Sequence, residues 1–154
     1  MPTEIERKFL IKHLPEGWQK SKSEHIAQGY LFNGSEGVVR VRKKGNSYYQ
    51  TIKSIGKMVR EEIEIELSQA QFELLWKYIK GNKISKTRYY LPYKSFLVEL
   101  DIFDESLNGL IVAEVEFENE MVCNSFQAPE WFGKEVTDDP RYQNNQLSIH
   151  GIPT

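Results

Sequence analysis

The segment TEIERKFLI sets Glu4, Glu6 and Lys8 on one side of an alternating run, with Ile5, Arg7 and Phe9 on the other. Alternation of this kind reads as a β-strand, because strand side chains switch faces with a period of two. Six further stretches repeat the pattern. VVRVRKKG carries Arg40 and Arg42 opposite Val39 and Val41, and YYQTIKS brings Lys53 to a strand end. REEIEIEL places Glu62, Glu64 and Glu66 opposite Ile63, Ile65 and Leu67, and SKTRYY carries Lys86 and Arg88. FLVELDIF sets Glu99 and Asp101 against Val98, Leu100 and Ile102; LIVAEVEFE sets Glu114, Glu116 and Glu118 against Ile111, Ala113, Val115 and Phe117. One E-x-E is ordinary for an antiparallel sheet with a wet face. The whole set is not, because its charges are segregated by sign, whereas a solvated face gains most from interspersed signs. Rows of arginine and lysine suit phosphate. Carboxylates two residues apart lie about 7 Å apart along a strand, and their oxygens suit a hydrated divalent cation shared with phosphate.

Positioning these rows requires strands that curl until the charged faces point inward. A barrel of about eight strands has room inside for side chains or one small ligand. The inward cations would be Lys8, Arg40, Arg42, Lys53, Lys86 and Arg88. The inward acids would be Glu4, Glu6, Glu62, Glu64, Glu99, Asp101, Glu114 and Glu116. Buried charges must be paired or bind ions, so divalent cations plus a polyanion would complete such an interior, and a triphosphate with Mg²⁺ or Mn²⁺ fits both halves. The outer, apolar face calls for covering helices. SQAQFELLWKYIKG predicts one, with Ser68 and Gln71 as a capping box, Gly81 as its stop, and Phe72, Leu75, Trp76 and Ile79 as its apolar stripe. NEMVCNSFQ predicts a second, and DDPRYQNNQL a third that opens on Asp139 and Pro140.

The 154 residues make one domain of mixed α+β class, 40% hydrophobic and 27% charged, hence globular. A net charge of −2, from 20 basic against 22 acidic residues, argues against nucleic acid or an anionic membrane as the main partner. A single cysteine, Cys123, excludes an internal disulfide and suits a reducing compartment, and it reads as a small packing residue. The start of the chain lacks an apolar signal core, and the longest apolar run, LIVA at 110–113, is far short of a membrane span. The expectation is a cytoplasmic protein whose partner is a small molecule, with a homodimer left open. There is no P-loop, no H-E-x-x-H and no Ser/His/Asp set, and His13, His25 and His150 read as structural or surface residues.

Taken in order, Glu4/Glu6/Lys8, Arg40/Arg42, Lys53, Glu62/Glu64, Lys86/Arg88, Asp101 and Glu114/Glu116 resemble the CYTH family, the triphosphate tunnel metalloenzymes, over nearly the whole chain. QGYL around Tyr30 and the tail WFGKEVTDDPRYQNN look like its short bacterial branch, whose characterised members hydrolyse inorganic triphosphate. The resemblance implies a closed eight-stranded antiparallel tunnel holding triphosphate at its centre. Lys8, Arg40, Arg42, Lys53, Lys86 and Arg88 would hold phosphates, Lys53 and Lys86 also acting in catalysis. Glu114 and Glu116 would bind a metal bridging the phosphates. Glu4 and Glu6, with Glu62, Glu64 and Asp101, would hold a second metal and the attacking water. Tyr30 would be either a proton acceptor or a packed aromatic, and the terminal helix near Tyr142 would lie by a tunnel mouth. Val38 departs from the pattern, standing where relatives often carry an acid. The fold also hosts nucleoside and thiamine triphosphatases and adenylate cyclases, and a non-catalytic polyphosphate or nucleotide sensor would use the same grip.

Overall fold

A computed structural model describes residues 5–54 and 62–154. Nine strands form one sheet: β1 (Ile5–Ile11), β2 (Lys22–Gly34), β3 (Gly37–Lys44), β4 (Ser47–Ser54), β5 (Glu62–Leu67), β6 (Lys80–Tyr93), β7 (Phe96–Phe103), β8 (Ile111–Phe117) and β9 (Phe132–Glu135). Three helices accompany them, α1 (Gln69–Trp76), α2 (Glu120–Ser125) and α3 (Asn144–His150). The strand order is β5-β4-β3-β2-β6-β7-β8-β1-β9, with antiparallel pairing throughout. The mostly-β α+β class is as expected, but the closed eight-stranded ring is not what the ladders show. The ninth strand is a short one laid against β1, and among the described residues no ladder joins β5 to the far end of the sheet. Four residues carry too little alternation to announce a strand on their own.

Three helices form in the expected segments, but the first ends earlier and the third starts later than predicted. Ser68 and Gln71 make the reciprocal capping box, but α1 stops at Trp76 and not near Gly81. Its last turn tightens, Tyr78 N–H donating to Leu75 and Ile79 N–H to Trp76, and the chain enters β6 at Lys80. Ile79 therefore lies off the helix and packs closely over Gly29, where a Cβ would come within 2.7 Å of its side chain. That close approach is why a glycine stands between Gln28 and Tyr30. Asn119 caps α2 by accepting from Val122 N–H. Asp139 accepts from Arg141 N–H, yet Pro140–Tyr142 forms only a 3-10 turn, and extended Gln143 intervenes before α3.

Because the inner face is charged, apolar packing divides into three clusters. The outer faces of β1, β7 and β8 pack on α2 and on Phe126, Trp131 and Phe132. α1 covers Val41 and Leu67 through Phe72. A third cluster continues the inner-face positions past the charged band: Tyr30, Ile84, Phe103 and Val112 meet Leu147 of α3 and close one end of the concavity. The expected apolar outer coat is covered only in part. Phe32, Ile52, Ile63 and Ile65, on β2, β4 and β5, remain between 41% and 55% exposed. Among the described residues no helix is long and apolar enough to cross a membrane.

Candidate active site

The inner face encloses a cavity of about 420 Å³ to which eight of the nine strands contribute. β1 supplies Glu6 and Lys8, β2 Tyr30, and β3 Val38, Arg40 and Arg42. β4 adds Thr51 and Lys53, and β5 adds Glu62 and Glu64. Arg88 comes from β6, Glu99 from β7, and Glu114 and Glu116 from β8. Gln143, Asn144 and Asn145, leading into α3, complete the wall. The register explains the convergence. Glu6 pairs with Glu116, Lys8 with Glu114, Glu114 with Glu99, Arg88 with Asp101, and Thr51 with Glu64. Strand periodicity therefore places the predicted residues on one surface, where the ladder sets acid beside acid at Glu6–Glu116 and Glu99–Glu114 but cation beside acid at Lys8–Glu114 and Arg88–Asp101.

Two of the predicted site residues lie beneath that surface. Lys86 is wholly buried and Asp101 nearly so, and the Lys86 Nζ is 2.7 Å from Asp101 Oδ2. Arg88 grips the same carboxylate with two nitrogens at 2.8 and 3.0 Å and reaches Glu99 at 2.9 Å. Burial works against the Asp101 charge, but Lys86 and Arg88 prevail and hold its carboxyl at about 2. Burial brings the Lys86 ammonium down to about 8 against the pull of Asp101, with Arg88 and Arg42 adding to the fall. Arg88, although desolvated, is raised by its bonds to Asp101 and by Glu99. Glu99 is pushed up by burial, and Glu114 and Asp101 push it further. Glu4 lies outside the described residues.

The depressed Asp101 carboxyl carries a stability prediction. Its folded value, about 2, is below its ordinary 3.8, so its contribution is present above about pH 4 and is lost as pH falls through 2. Asp101→Asn should cost about 3–5 kcal/mol at neutral pH, since two buried cations lose their shared partner. Urea unfolding at a series of pH values should show the gap between variant and wild type narrowing between about pH 4 and pH 2. A gap that is independent of pH would mean the Asp101 charge is not what stabilises.

The other pair of arginines is held differently. Arg40 is buried, donates from Nη2 to Thr51 Oγ1 at 3.3 Å, and among the described residues leaves its Nε without a partner. Thr51 Oγ1 in turn donates a hydrogen bond to Glu64 Oε2 at 3.2 Å. Arg42 donates from Nε to Gln28 Oε1 at 2.8 Å. Among the described residues neither guanidinium forms an ion pair, in contrast to Lys8 with Glu114, Lys53 with Glu62, and Arg88. Desolvation, then Arg40 and Arg88, lower Arg42 to about 10. It remains charged at neutral pH, lowered first by burial and then by the neighbouring arginines. Burial raises the Tyr30 phenol, with Arg40 and Arg42 opposing. Tyr30 is thus held protonated and packed among apolar residues.

Lys8 links the wall to the chain that closes it, lying 3.3 Å from Glu114 and donating to Tyr142 O at 3.1 Å. Asn33 and Asn145 tie the start of α3 to β2 through their amides. Sequence reasoning missed Gln28, Thr51 and the Gln143–Asn145 segment. The first two share a face with Tyr30 and Lys53 at a spacing of two, so the same periodicity would have found them. Val38 faces the cavity as an apolar residue and packs on the cluster at its closed end. Ser85, His25 and Asp104 do meet in space, at 2.9 and 3.8 Å, but both contacts run through His25 Nε2. A relay needs one ring nitrogen for the hydroxyl and the other for the carboxylate, so this cluster is no nucleophile.

Comparison with known proteins points the same way. A family model described as the CYTH domain matches residues 2–146. A Nitrosomonas europaea protein named inorganic triphosphatase is 42% identical over 150 residues, which span 96% of this chain and 97% of that one. An Acetivibrio thermocellus protein of the same name is 33% identical, spanning 96% and 94%. The crystal structure of an inorganic triphosphatase, 40% identical, aligns over 100% of this chain and 99% of its own with a TM-score of 0.78.

Proposed function

The chain belongs to the CYTH family, and on that premise we propose that it hydrolyses inorganic triphosphate to diphosphate and phosphate in this cavity. The observation that carries the reading is the pair Arg40 and Arg42, charged, facing the cavity, and ion-paired to nothing among the described residues. Desolvated cations without counter-ions need an anion, and guanidinium forks match phosphate oxygens. Lys8, Lys53 and Arg88 line the same wall and supply further positive charge to the chain of phosphates. Lys86, beneath them, adds its charge through Arg88 and Asp101. In this reading the sheet closes into a tunnel around the substrate, and the convergence of β1 and β5 on one cavity supports that closure.

The carboxylates fit a hard divalent cation, Mg²⁺ or Mn²⁺, in number and chemistry. Glu6, Glu114 and Glu116 stand together on β1 and β8, and Glu62 and Glu64 on β5. Among the described residues no three acidic, histidine or cysteine side chains converge as a ready-made cage. That suits cations that take one or two carboxylates and complete their shells with phosphate oxygens and water. Glu114 and Glu116 would hold one metal; Glu6, Glu62 and Glu64, with Glu4, would hold a second. Bound there, metal would supply Lewis-acid polarisation and lower the pKa of coordinated water. The protein's own part is placement and charge: Arg40 and Arg42 fix the phosphates in line and stabilise the departing diphosphate, which is most of what phosphoryl transfer requires. Tyr30, held protonated, acts as a hydrogen-bond donor at the closed end and not as a base.

Phosphate release from triphosphate, ATP and thiamine triphosphate, each with Mg²⁺ and with EDTA, tests the reading. Metal-dependent turnover of triphosphate well above the other two is expected. A preference for ATP or thiamine triphosphate, a cyclic product from ATP, or tight binding without turnover would each replace it. Triphosphate with Mg²⁺ should also raise the melting temperature by more than the sum of their separate shifts, read before hydrolysis proceeds. Ligands that bind the folded state stabilise it by RT ln(1 + [L]/Kd), and here each cancels the other's charge. Strictly additive shifts would place them at separate sites.

A further inference from the structure

Arg42 takes its orientation from a side chain to which neither charge pattern nor family resemblance gives a role. Gln28 sits on β2 directly across the ladder from Arg42, and from Ile84 on its other side. Its side chain is wholly buried. Its Oε1 accepts from Arg42 Nε at 2.8 Å, and its Nε2 faces Tyr30 Oη at 3.5 Å. Compare Arg88, whose fork is taken up by Asp101 and Glu99. A carboxylate partner fixes a guanidinium but neutralises it and occupies its terminal nitrogens. A neutral carbonyl bonded at Nε fixes the same group and leaves both terminal nitrogens, with the full charge, available to a ligand.

We propose that Gln28 is a positioning residue for the triphosphate, holding Arg42 aimed into the cavity without discharging it; this rests on the triphosphatase reading above. Glutamate has nearly the same shape and would bond Arg42 more strongly, yet it would cancel the charge the phosphates need. Stability and substrate affinity should therefore move in opposite directions when the amide becomes a carboxylate. Methionine, also of similar size, keeps the site neutral but removes the acceptor, so it should disturb the aim of Arg42 and spare its charge.

The test uses the full chain and the variants Gln28→Glu and Gln28→Met, with melting temperature in EDTA and kcat and KM for triphosphate with Mg²⁺. Gln28→Glu should raise KM about 10- to 100-fold, the scale of one hydrogen bond to a charged group, while melting no lower than wild type. Gln28→Met should lower kcat by more than it raises KM. A Gln28→Glu protein with wild-type KM overturns the proposal, as do two variants whose activity losses simply follow their melting temperatures. Should Gln28→Glu fail to fold, Gln28→Met decides alone: a kcat loss at wild-type melting temperature supports the role, and wild-type kcat ends it. Calorimetric titration of triphosphate in EDTA separates the two claims. Wild type that binds triphosphate in EDTA but does not turn it over once Mg²⁺ is supplied refutes the triphosphatase reading, and weakened binding in Gln28→Glu would still show that Gln28 positions Arg42.

Discussion

Arg42→Ala should lower kcat/KM for triphosphate by about 100- to 1000-fold, the loss found when one preorganised donor to developing charge is removed. Arg42 is poised for an anion by the contacts it lacks among the described residues. It is desolvated enough to be lowered to about 10, yet its Nε bonds a neutral amide and among the described residues no carboxylate pairs with it. Among the described residues its terminal nitrogens thus have no bonded partner, which leaves them to an entering anion. The neighbouring Lys43→Ala is the matched control. Lys43 is exposed on the opposite face, with its Nζ 5.8 Å from the centre of the Tyr48 ring, so removing it should leave kcat/KM within about twofold and stability within about 0.5 kcal/mol. Equal losses in the two variants would mean that net charge, and not a directed guanidinium, matters. Because Arg42 has no ion pair to lose, Arg42→Ala should also leave the melting temperature in EDTA near or above that of wild type.

Glu116→Gln should cut kcat at saturating Mg²⁺ by about 100-fold or more, since a metal's Lewis-acid contribution is worth several kcal/mol and each 1.36 kcal/mol is tenfold in rate. Glu116 faces Glu6 across the β1–β8 ladder and lines the cavity from an exposed position. Glutamine preserves shape and removes an anionic ligand. Carboxylate crowding in the protein without metal centres on Glu99, which burial, Glu114 and Asp101 push upward. Solvent screens Glu116 from much of that field, so the unfolding midpoint in EDTA should move by no more than about 0.5 kcal/mol. Near-normal kcat would remove Glu116 from the site. A large loss of stability would make it a structural partner of some cation instead.

How much of this could be read from residues alone follows from what a period of two encodes. It encodes the face, so Arg40 with Arg42, Glu62 with Glu64 and Glu114 with Glu116 were legible as members of one wall. It does not encode depth. Lys86 and Arg88 share a face with each other, but only the ladder partner Asp101, across from Arg88, decides that Lys86 sinks out of reach while Arg88, itself buried, still lines the cavity. Nor does it encode pairing. That Arg88 is neutralised and Arg42 is not depends on which strands become neighbours, β6 with β7 in one case and β2 with β3 in the other. Capping chemistry located the start of α1 because Ser68 and Gln71 act locally, whereas the end of α1 is set by Ile79 packing over Gly29. The short β9 and the exposed isoleucines of β5 had no local signal: the first exists because β1 offers it an edge, the second because α1 covers only part of the outer face.

The most direct measurement is a ³¹P NMR time course of triphosphate with the wild-type protein and Mg²⁺, followed by addition of EDTA. If the cavity grips triphosphate through its un-neutralised arginines and cleaves one anhydride bond, the internal and terminal phosphate signals should decline together. Diphosphate and orthophosphate should then appear in equal amounts, production should stop on chelation, and Arg42→Ala should show the same products far more slowly. Triphosphate signals that broaden or shift with protein yet persist would show a binding protein and contradict the hydrolytic account, as would products that accumulate unchanged after EDTA.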